Sequence, residues 1–480
     1  MNRFGFLTFT ILVAFAGARE FKDDHGIVFS WDDDKPPTVV ANAFGAIPFY
    51  HFGMTNEQLV GVWGKWLVRG SNIDFETDDE LSSNFASDPN QAELDFLDSL
   101  TDITPECSTD PNGCQRQFDR DTFSGLDPDF AVYVHFGPFA EVLSPIESVT
   151  GSPPIFIDTR FEDGDGCRTD TYELNVTNCY ARSVEDVIDR IRELAKFLGV
   201  EESPEVVEDQ QRYCEAANEF SLMAEQLQER GVRCLAASVR QANGGTINVF
   251  NTNNLPWLRT FEDLGLPLLT APFESKSDFT YTYSVSDWYP ECGGQPSGCE
   301  TLTPALPTDC FLFDTRTFAY IEDSKEQVLG FLPEKTIEQD QYSYFHFNEG
   351  GFSYRRAAAV LNQINEDLKD VQPLYSQTPC ATVDVSSREY TSLASGGLSA
   401  GQYACYNSEL MTCPKGFEPG TSLAADIATE TSQSSNGGGS SSNGNGYQPI
   451  QSSGALQLKR QTVVGFVTFL TGLFLGSMFS

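Results

Sequence analysis

Apolar positions recur at steps of three and four through residues 183–231. Val184, Val187, Ile188, Ile191, Leu194, Ala195 and Leu198 lie on one face of a helix. Ser183 caps that helix, Asp186 stands three residues on as in a capping box, and Gly199 ends it. A second helix opens at Ser203-Pro204, turns Val206, Val207, Tyr213, Ala217, Phe220, Ala224 and Leu227 inward, and stops at Gly231. At 1.5 Å per residue this second piece is roughly 40 Å long. Sequence on either side is strand-rich and punctuated by loops, so the pair predicts a rigid strut between two lobes. A pair of plain core helices is the competing reading.

Before the strut, a polar lead-in containing His25 gives way to a short buried strand at Thr38–Ala41, a turn over 42–45 and a helix-like AIPFYHFGM. Strands follow at LVGVWG (59–64), FAVYVHF (130–136) and PIFID (154–158), with an acidic, loop-rich stretch over 74–117 between the first two. After the strut, VRCLAASV (232–239) and CFLFD (310–314) read as strands, and LPWLRTFEDLG (255–265) as a short helix. Residues 278–288 alternate aromatic and polar side chains in a β-like pattern, and SYRRAAAVLNQINEDL (353–368) is an amphipathic helix. Short apolar strands alternating with helices predict an α/β fold, two lobes each with a mainly parallel sheet flanked by helices and joined by a long rigid helix. Sheets of this kind take ligands in the crevice beyond the carboxyl ends of their strands.

The ends change the picture from a soluble enzyme-like body to an exported one. Arg3, the apolar run Phe4–Phe15 and Ala16-Gly17-Ala18 form a secretory leader over residues 1–18. Residues 19–182 are then the N-terminal lobe, 183–231 the connecting helices, 232–371 the C-terminal lobe and 372–420 a cysteine-bearing tail. Residues 421–453 are a Ser/Gly stalk too polar to fold. Residues 454–480 carry the pattern of a lipid (GPI) anchor signal, with small residues at the attachment site (Ser453), a polar spacer and an apolar tail from Thr462 to Phe479. A single spanning helix is the rival, but Lys459 and Arg460 precede the apolar run and nothing basic follows, backwards for a stop-transfer helix. The expected location is the outer face of the plasma membrane.

All twelve cysteines follow the leader, an even number that predicts disulfides. Spacing suggests local pairs Cys107–Cys114, Cys167–Cys179, Cys292–Cys299 and Cys405–Cys413. Zinc is disfavoured, because no CxxC or His-x-His accompanies the thiols. The net charge of −39 excludes a phosphate-backbone partner such as nucleic acid. The acids are scattered, which fits solubility better than cation capture; neither Asp32-Asp33-Asp34 nor Asp163-Gly164-Asp165-Gly166 has calcium-loop spacing. No Gly-x-Ser-x-Gly elbow, P-loop or GxGxxG is present, and no strand-end carboxylate pair suggests glycoside hydrolysis. An adhesive coat protein would show sandwich repeats, which are absent.

TVVANAFGAIPFYHFGMTNEQLVGVWG resembles the opening of the helical-backbone (class III) substrate-binding proteins of bacterial ABC importers for ferric siderophores and vitamin B12. FSGLDPDFAVYV is similar to their lead into the next strand, and SVEDVIDRIRELAKFLGV to the helix that forms their strut. LRTFEDLGLPLL and GGFSYRRAAAVLNQINEDL resemble the first and last helices of the second lobe. The likeness covers about residues 38–370. It implies a receptor rather than an enzyme, with no intrinsic cofactor, a cleft between lobes, modest closure, and a ferric siderophore of hydroxamate type as ligand. Disulfides, the anchor and a glycosylation sequon at Asn175 depart from the bacterial pattern and suggest a eukaryotic surface form. A membrane ferric reductase or endocytic machinery is then the expected recipient of iron.

Cleft residues are expected in the loops after strand ends. One lobe offers Trp63, Trp66, Arg69, His135, Phe136 and Arg160. The other offers Arg240, Trp288, Tyr289, Arg316, Tyr344 and His346. Aromatics supply flat contact area and arginines planar donor pairs, a composition suited to a bulky iron chelate. Each residue alone also has an ordinary reading, the tryptophans as lobe core and the arginines as surface ion pairs. His135 with His346 and a carboxylate would instead bind a bare metal ion, and haem or cobalamin are further alternatives for the same cleft. His51 lies in an apolar segment and reads as core.

Overall fold

Two five-stranded sheets, one before and one after the central helices, carry the fold. The computed structural model describes residues 19–65, 90–104, 118–135, 146–162, 180–200, 202–240, 246–252, 255–269, 271, 280–288, 305–314, 339, 341–345, 352–375, 381–383, 404–406, 411 and 413.

The chain starts with a hairpin of β1 (Arg19–Lys22) and β2 (Val28–Trp31). The first sheet then forms from β3 (Val39–Asn42), β4 (Leu59–Trp63), β5 (Thr101–Asp102), β6 (Phe130–His135) and β7 (Ile155–Asp158), in the order β5-β4-β3-β6-β7 and parallel throughout. Parallel strands are covered on both faces, which is why these read as unbroken apolar runs. Val39, Ala41, Val132, Val134, Ile155 and Ile157 join the large cluster with helix α1 (Ala43–His51). Val40, Trp63, Ala131, Tyr133 and Phe156 form a second cluster on the other face.

The sequence suggests a turn over 42–45, but α1 starts directly at Ala43. The Asn42 side chain makes this abrupt change workable: its Nδ2 donates to Val134 O (2.7 Å) and its Oδ1 accepts from Val134 N (3.0 Å), extending the ladder to β6 after the backbone has turned away. Gly45 completes the fit, since a Cβ there would stand 3.0 Å from a Val134 methyl. Within the stretch read as loop, α2 (Gln91–Ser99) forms behind an Asn90–Glu93 capping box. Helix α3 (Arg120–Leu126) follows, and a small antiparallel pair, β8 (Phe161–Glu162) and β9 (Tyr180–Ala181), leads to the central helices.

Helix α4 (Val184–Phe197) has the capping box expected from Ser183 and Asp186, and it buries the apolar face read from the sequence together with Phe197. Helix α5 (Pro204–Arg230) runs to Gly231, whose φ of 74° is left-handed backbone that glycine adopts freely. Among the described residues α4 packs broadly against elements of both halves: α1, β1 and β7 on one side, α6 (Pro256–Asp263) and α8 (Tyr354–Leu368) on the other. The longer α5 lies chiefly along α8. Of the two helices read as one connection, the shorter does the joining.

The second sheet takes the order β12-β11-β10-β13-β14. Strands β10 (Cys234–Arg240), β13 (Cys310–Asp314) and β14 (Tyr342–Phe345) are parallel, while β11 (Thr246–Phe250) and β12 (Thr280–Ser284) return antiparallel at one edge. The alternating pattern at 278–288 splits into β12 and the short helix α7 (Val285–Trp288). A parallel pair, β15 (Ala381–Val383) and β16 (Ala404–Tyr406), comes last.

Two disulfides lie among the described residues. Cys234 and Cys310, partners in the β10–β13 register, are joined across the strands. Cys413 is bonded to Cys214 of α5, 199 residues away, which corrects the local Cys405–Cys413 pairing expected from spacing. Asn218 secures the same contact, accepting from Met411 N (2.8 Å) and donating to Met411 O (3.1 Å). Cys107, Cys114, Cys167, Cys179, Cys292 and Cys299 lie outside the described residues, as do the leader, Asn175, the stalk, Ser453 and residues 462–479. Among the described residues no helix is long and apolar enough to cross a membrane.

Candidate ligand-binding site at the strand ends

Strand direction fixes which residues reach the carboxyl ends of each sheet. In the first they are Asn42, Trp63, His135 and Asp158. Trp63 does not offer a face to a ligand: it is 1% exposed and stacks on Tyr133 at 6.2 Å. Tyr133 stacks in turn on His135 at 5.2 Å, and the Phe44 ring at the start of α1 lies 6.3 Å from that imidazole. Trp63 therefore takes the core role, and the aromatic stack it begins reaches His135 at the end of β6.

Arg160, two residues past β7, is half-buried. An Asx turn shapes the strand exit: Arg160 N donates to Asp158 Oδ1 at 2.8 Å. Burial lowers the Arg160 guanidinium to about 10, still cationic at neutral pH. The carbonyl of Arg160 accepts from Arg182 N, tying this exit to the segment entering α4.

In the second sheet Arg240 closes β10 and Tyr344 is the penultimate residue of β14. Ala237, Phe313 and Tyr344 are in register, so Arg240 lies three residues beyond that row on a strand that flanks β13 opposite β14. Asp314, buried at the end of β13, was not anticipated. Trp288 is fully buried against Tyr283 (5.3 Å, edge-on), so it too is a core residue rather than a ligand contact. Trp66, Arg69, Phe136, Tyr289, Arg316 and His346 lie outside the described residues. Among the described residues no three His, Cys, Asp or Glu side chains gather as a metal site.

Sequence reasoning also missed how β7 is held. Asp23 and Asp24, in the hairpin turn of the supposed lead-in, lie along its free edge. Phe156 N donates to Asp23 Oδ2 (3.2 Å) and Asp158 N to Asp24 Oδ2 (2.7 Å). The Arg182 guanidinium meets Asp24 through two nitrogens at 2.6 and 2.9 Å, and Arg190 Nε adds a third contact at 3.2 Å. Asp23, buried and beside Asp24, is pushed up to about 6 against the pull of its backbone donors. The nearest signal in the sequence was Asp-Asp-His-Gly, a turn-forming run between two short apolar–polar alternations.

No family model matches the sequence, and no curated protein matches it either. Similar solved structures are bacterial siderophore-binding proteins. DesE, a ferric-siderophore receptor protein from Streptomyces coelicolor, is 18% identical; the match covers 74% of this chain and 99% of DesE with a TM-score of 0.52. The petrobactin-binding protein YclQ from Bacillus subtilis is 12% identical over 73% of this chain and 98% of its own, at a TM-score of 0.44. FhuD from Vibrio cholerae, solved with Fe3+-Desferal, is 15% identical over 71% and 100%, at 0.40. The DesE match establishes the two-lobe α/β fold expected from the sequence.

Proposed function

We propose that this chain is a cell-surface receptor that captures a ferric siderophore of hydroxamate type between its two halves and does no chemistry on it. The observation that carries this reading is the match to almost the whole length of DesE, itself a ferric-siderophore receptor, with Arg160 and His135 at the strand ends where such sheets take ligands. A cationic guanidinium and a stacked imidazole, each at a strand end, suit the carbonyl and hydroxamate oxygens of an iron chelate. Residues 1–18 act as an export leader in this reading, and residues 421–480 as stalk and lipid anchor. Iron then passes to a membrane reductase or to endocytosis.

Titration of the purified chain with a ferric hydroxamate, free ferric iron, haem and zinc, followed by tryptophan fluorescence, tests the reading. Saturable quenching by the hydroxamate complex is expected, with Arg160→Ala weakening it about tenfold or more by removing a charged hydrogen-bond donor. Flat curves for every ligand overturn the receptor, and glycan turnover by the same preparation transfers the case to an enzyme.

A further inference from the structure

Where the two halves meet, a buried polar chain runs from α2 through α1 to the start of α8. His51 Nε2 lies 2.6 Å from Glu93 Oε1, and His51 Nδ1 lies 2.7 Å from Ser353 Oγ. Glu93 Oε2 is 3.5 Å from an Arg356 nitrogen. The side chains of His51, Glu93 and Arg356 are 3%, 1% and 7% exposed. A carboxylate has no hydrogen to give, so the one between His51 and Glu93 belongs to Nε2, which leaves Nδ1 to accept from the Ser353 hydroxyl. Ser353 Oγ also accepts from Arg356 N and so caps α8. The order serine, histidine, carboxylate is that of a hydrolase triad, but Ser353 is 1% exposed and already engaged as a cap, so no substrate reaches it.

The chain is built for a neutral imidazole. Glu93 and Arg356 balance each other's charge, and a proton on Nδ1 takes away the acceptor of the Ser353 hydroxyl while adding a second cation beside Arg356. We propose that His51 is a proton-operated latch: neutral, it ties α1 and α2 of the first half to the start of α8 in the second, and its protonation releases that tie. The charged groups facing it are Glu93 from α2, Arg355 and Arg356 from α8, and Asp209 from α5, which is itself engaged by Arg355 at 2.9 Å and Arg212 at 3.3 Å. Burial is the largest influence and lowers the imidazole below its ordinary 6.5; Glu93 opposes it, and the two arginines reinforce it. Below 6.5 the unfolded chain therefore takes up more protons here than the folded one. The stability this site contributes is complete above 6.5 and is lost as pH falls beneath it.

Five carboxyls among the described residues act in the opposite sense, Asp209 and Asp367 being raised by burial as well as the three whose values follow. Burial raises Asp23 and Asp263 to about 6 and Glu185 to about 7, so they favour the folded chain as they protonate. The test therefore compares the parent with His51→Gln at each pH, subtracting what the carboxyls do. Glutamine keeps one donor and one acceptor but does not titrate. Between about pH 7.5 and pH 5 the parent's urea midpoint should fall relative to that of H51Q, and exchange at the first amides of α8 should speed up relative to H51Q. Parallel profiles for the two proteins overturn the latch. The chain has four histidines, so the imidazole resonance missing from H51Q identifies His51. Its midpoint should lie below 6.5 in the parent, and a value at or above 6.5 overturns the proposal. Should H51Q fail to fold, Ser353→Ala carries the test: loss of the hydroxyl donor removes support from the neutral ring and should shift the His51 midpoint upward, whereas an unmoved midpoint counts against the latch.

Discussion

The first sheet is secured by charge at its edge, the second by a covalent bond near its middle. Along β7 the outward-facing amides of Phe156 and Asp158 meet carboxylates where another strand would otherwise pair, and Arg182 and Arg190 neutralise Asp24 behind them. In the second sheet Cys234–Cys310 bridges β10 and β13. A buried Arg233–Asp309 pair stands beside the bridge, with Asp309 also accepting from Leu374 N at 2.7 Å. The comparison teaches that two sheets of equal strand number can rest on different conditions. The clamp on the first rests on Asp24 and its two arginines and is indifferent to thiol reagents; the bridge in the second carries no charge and is open to reductant.

Three variants bear on that contrast. Asp24→Ala should have the largest effect, about 3–5 kcal/mol, because it takes the carboxylate from a buried guanidinium and leaves the β7 edge unpaired. Amide exchange should rise across β6, β7 and the N-terminal hairpin while β10 and β13 stay protected. Replacing Cys234 and Cys310 together by alanine should cost about 2–4 kcal/mol through the loop they close, and the loss of protection should appear in β10 and β13 alone. Ser183→Ala, which removes the cap of a helix packed on both halves, should cost about 1 kcal/mol and loosen both sheets to a similar extent. If the first two variants instead lose protection uniformly, the halves form one cooperative body and the contrast in how they are held has no energetic meaning.

The features legible in the sequence were those decided within a few residues. Ser183 and Asp186 cap α4 because that reciprocal bond spans three positions, and CFLFD forms β13 with the bounds its composition suggests. Features decided by distant partners were not legible. TINVF and YSYF become β11 and β14 because neighbouring strands receive them, whereas the mixed polarity of YSYF argues for no element by itself. Cys413 bonds across 199 residues, past the nearer Cys405. Around the candidate site, the apolar runs stop where the strands do, β6 at His135 and β7 at Asp158. Trp63 and Trp288 were weighed as ligand contacts because sequence shows that a large aromatic ends a strand or element, but not which face of the sheet receives it.

The bond from Cys413 to α5 also settles how the molecule bears tension. Any pull applied to the chain after residue 413 enters the body at Cys214, near the midpoint of a 27-residue helix, and spreads sideways into α8. The bond closes a covalent ring from Cys214 to Cys413, so the load has a path that does not run through the chain between them. Force on that end is thus taken up first in the second half, and it reaches the first through α4 and the contacts of α1 and α2 with the start of α8.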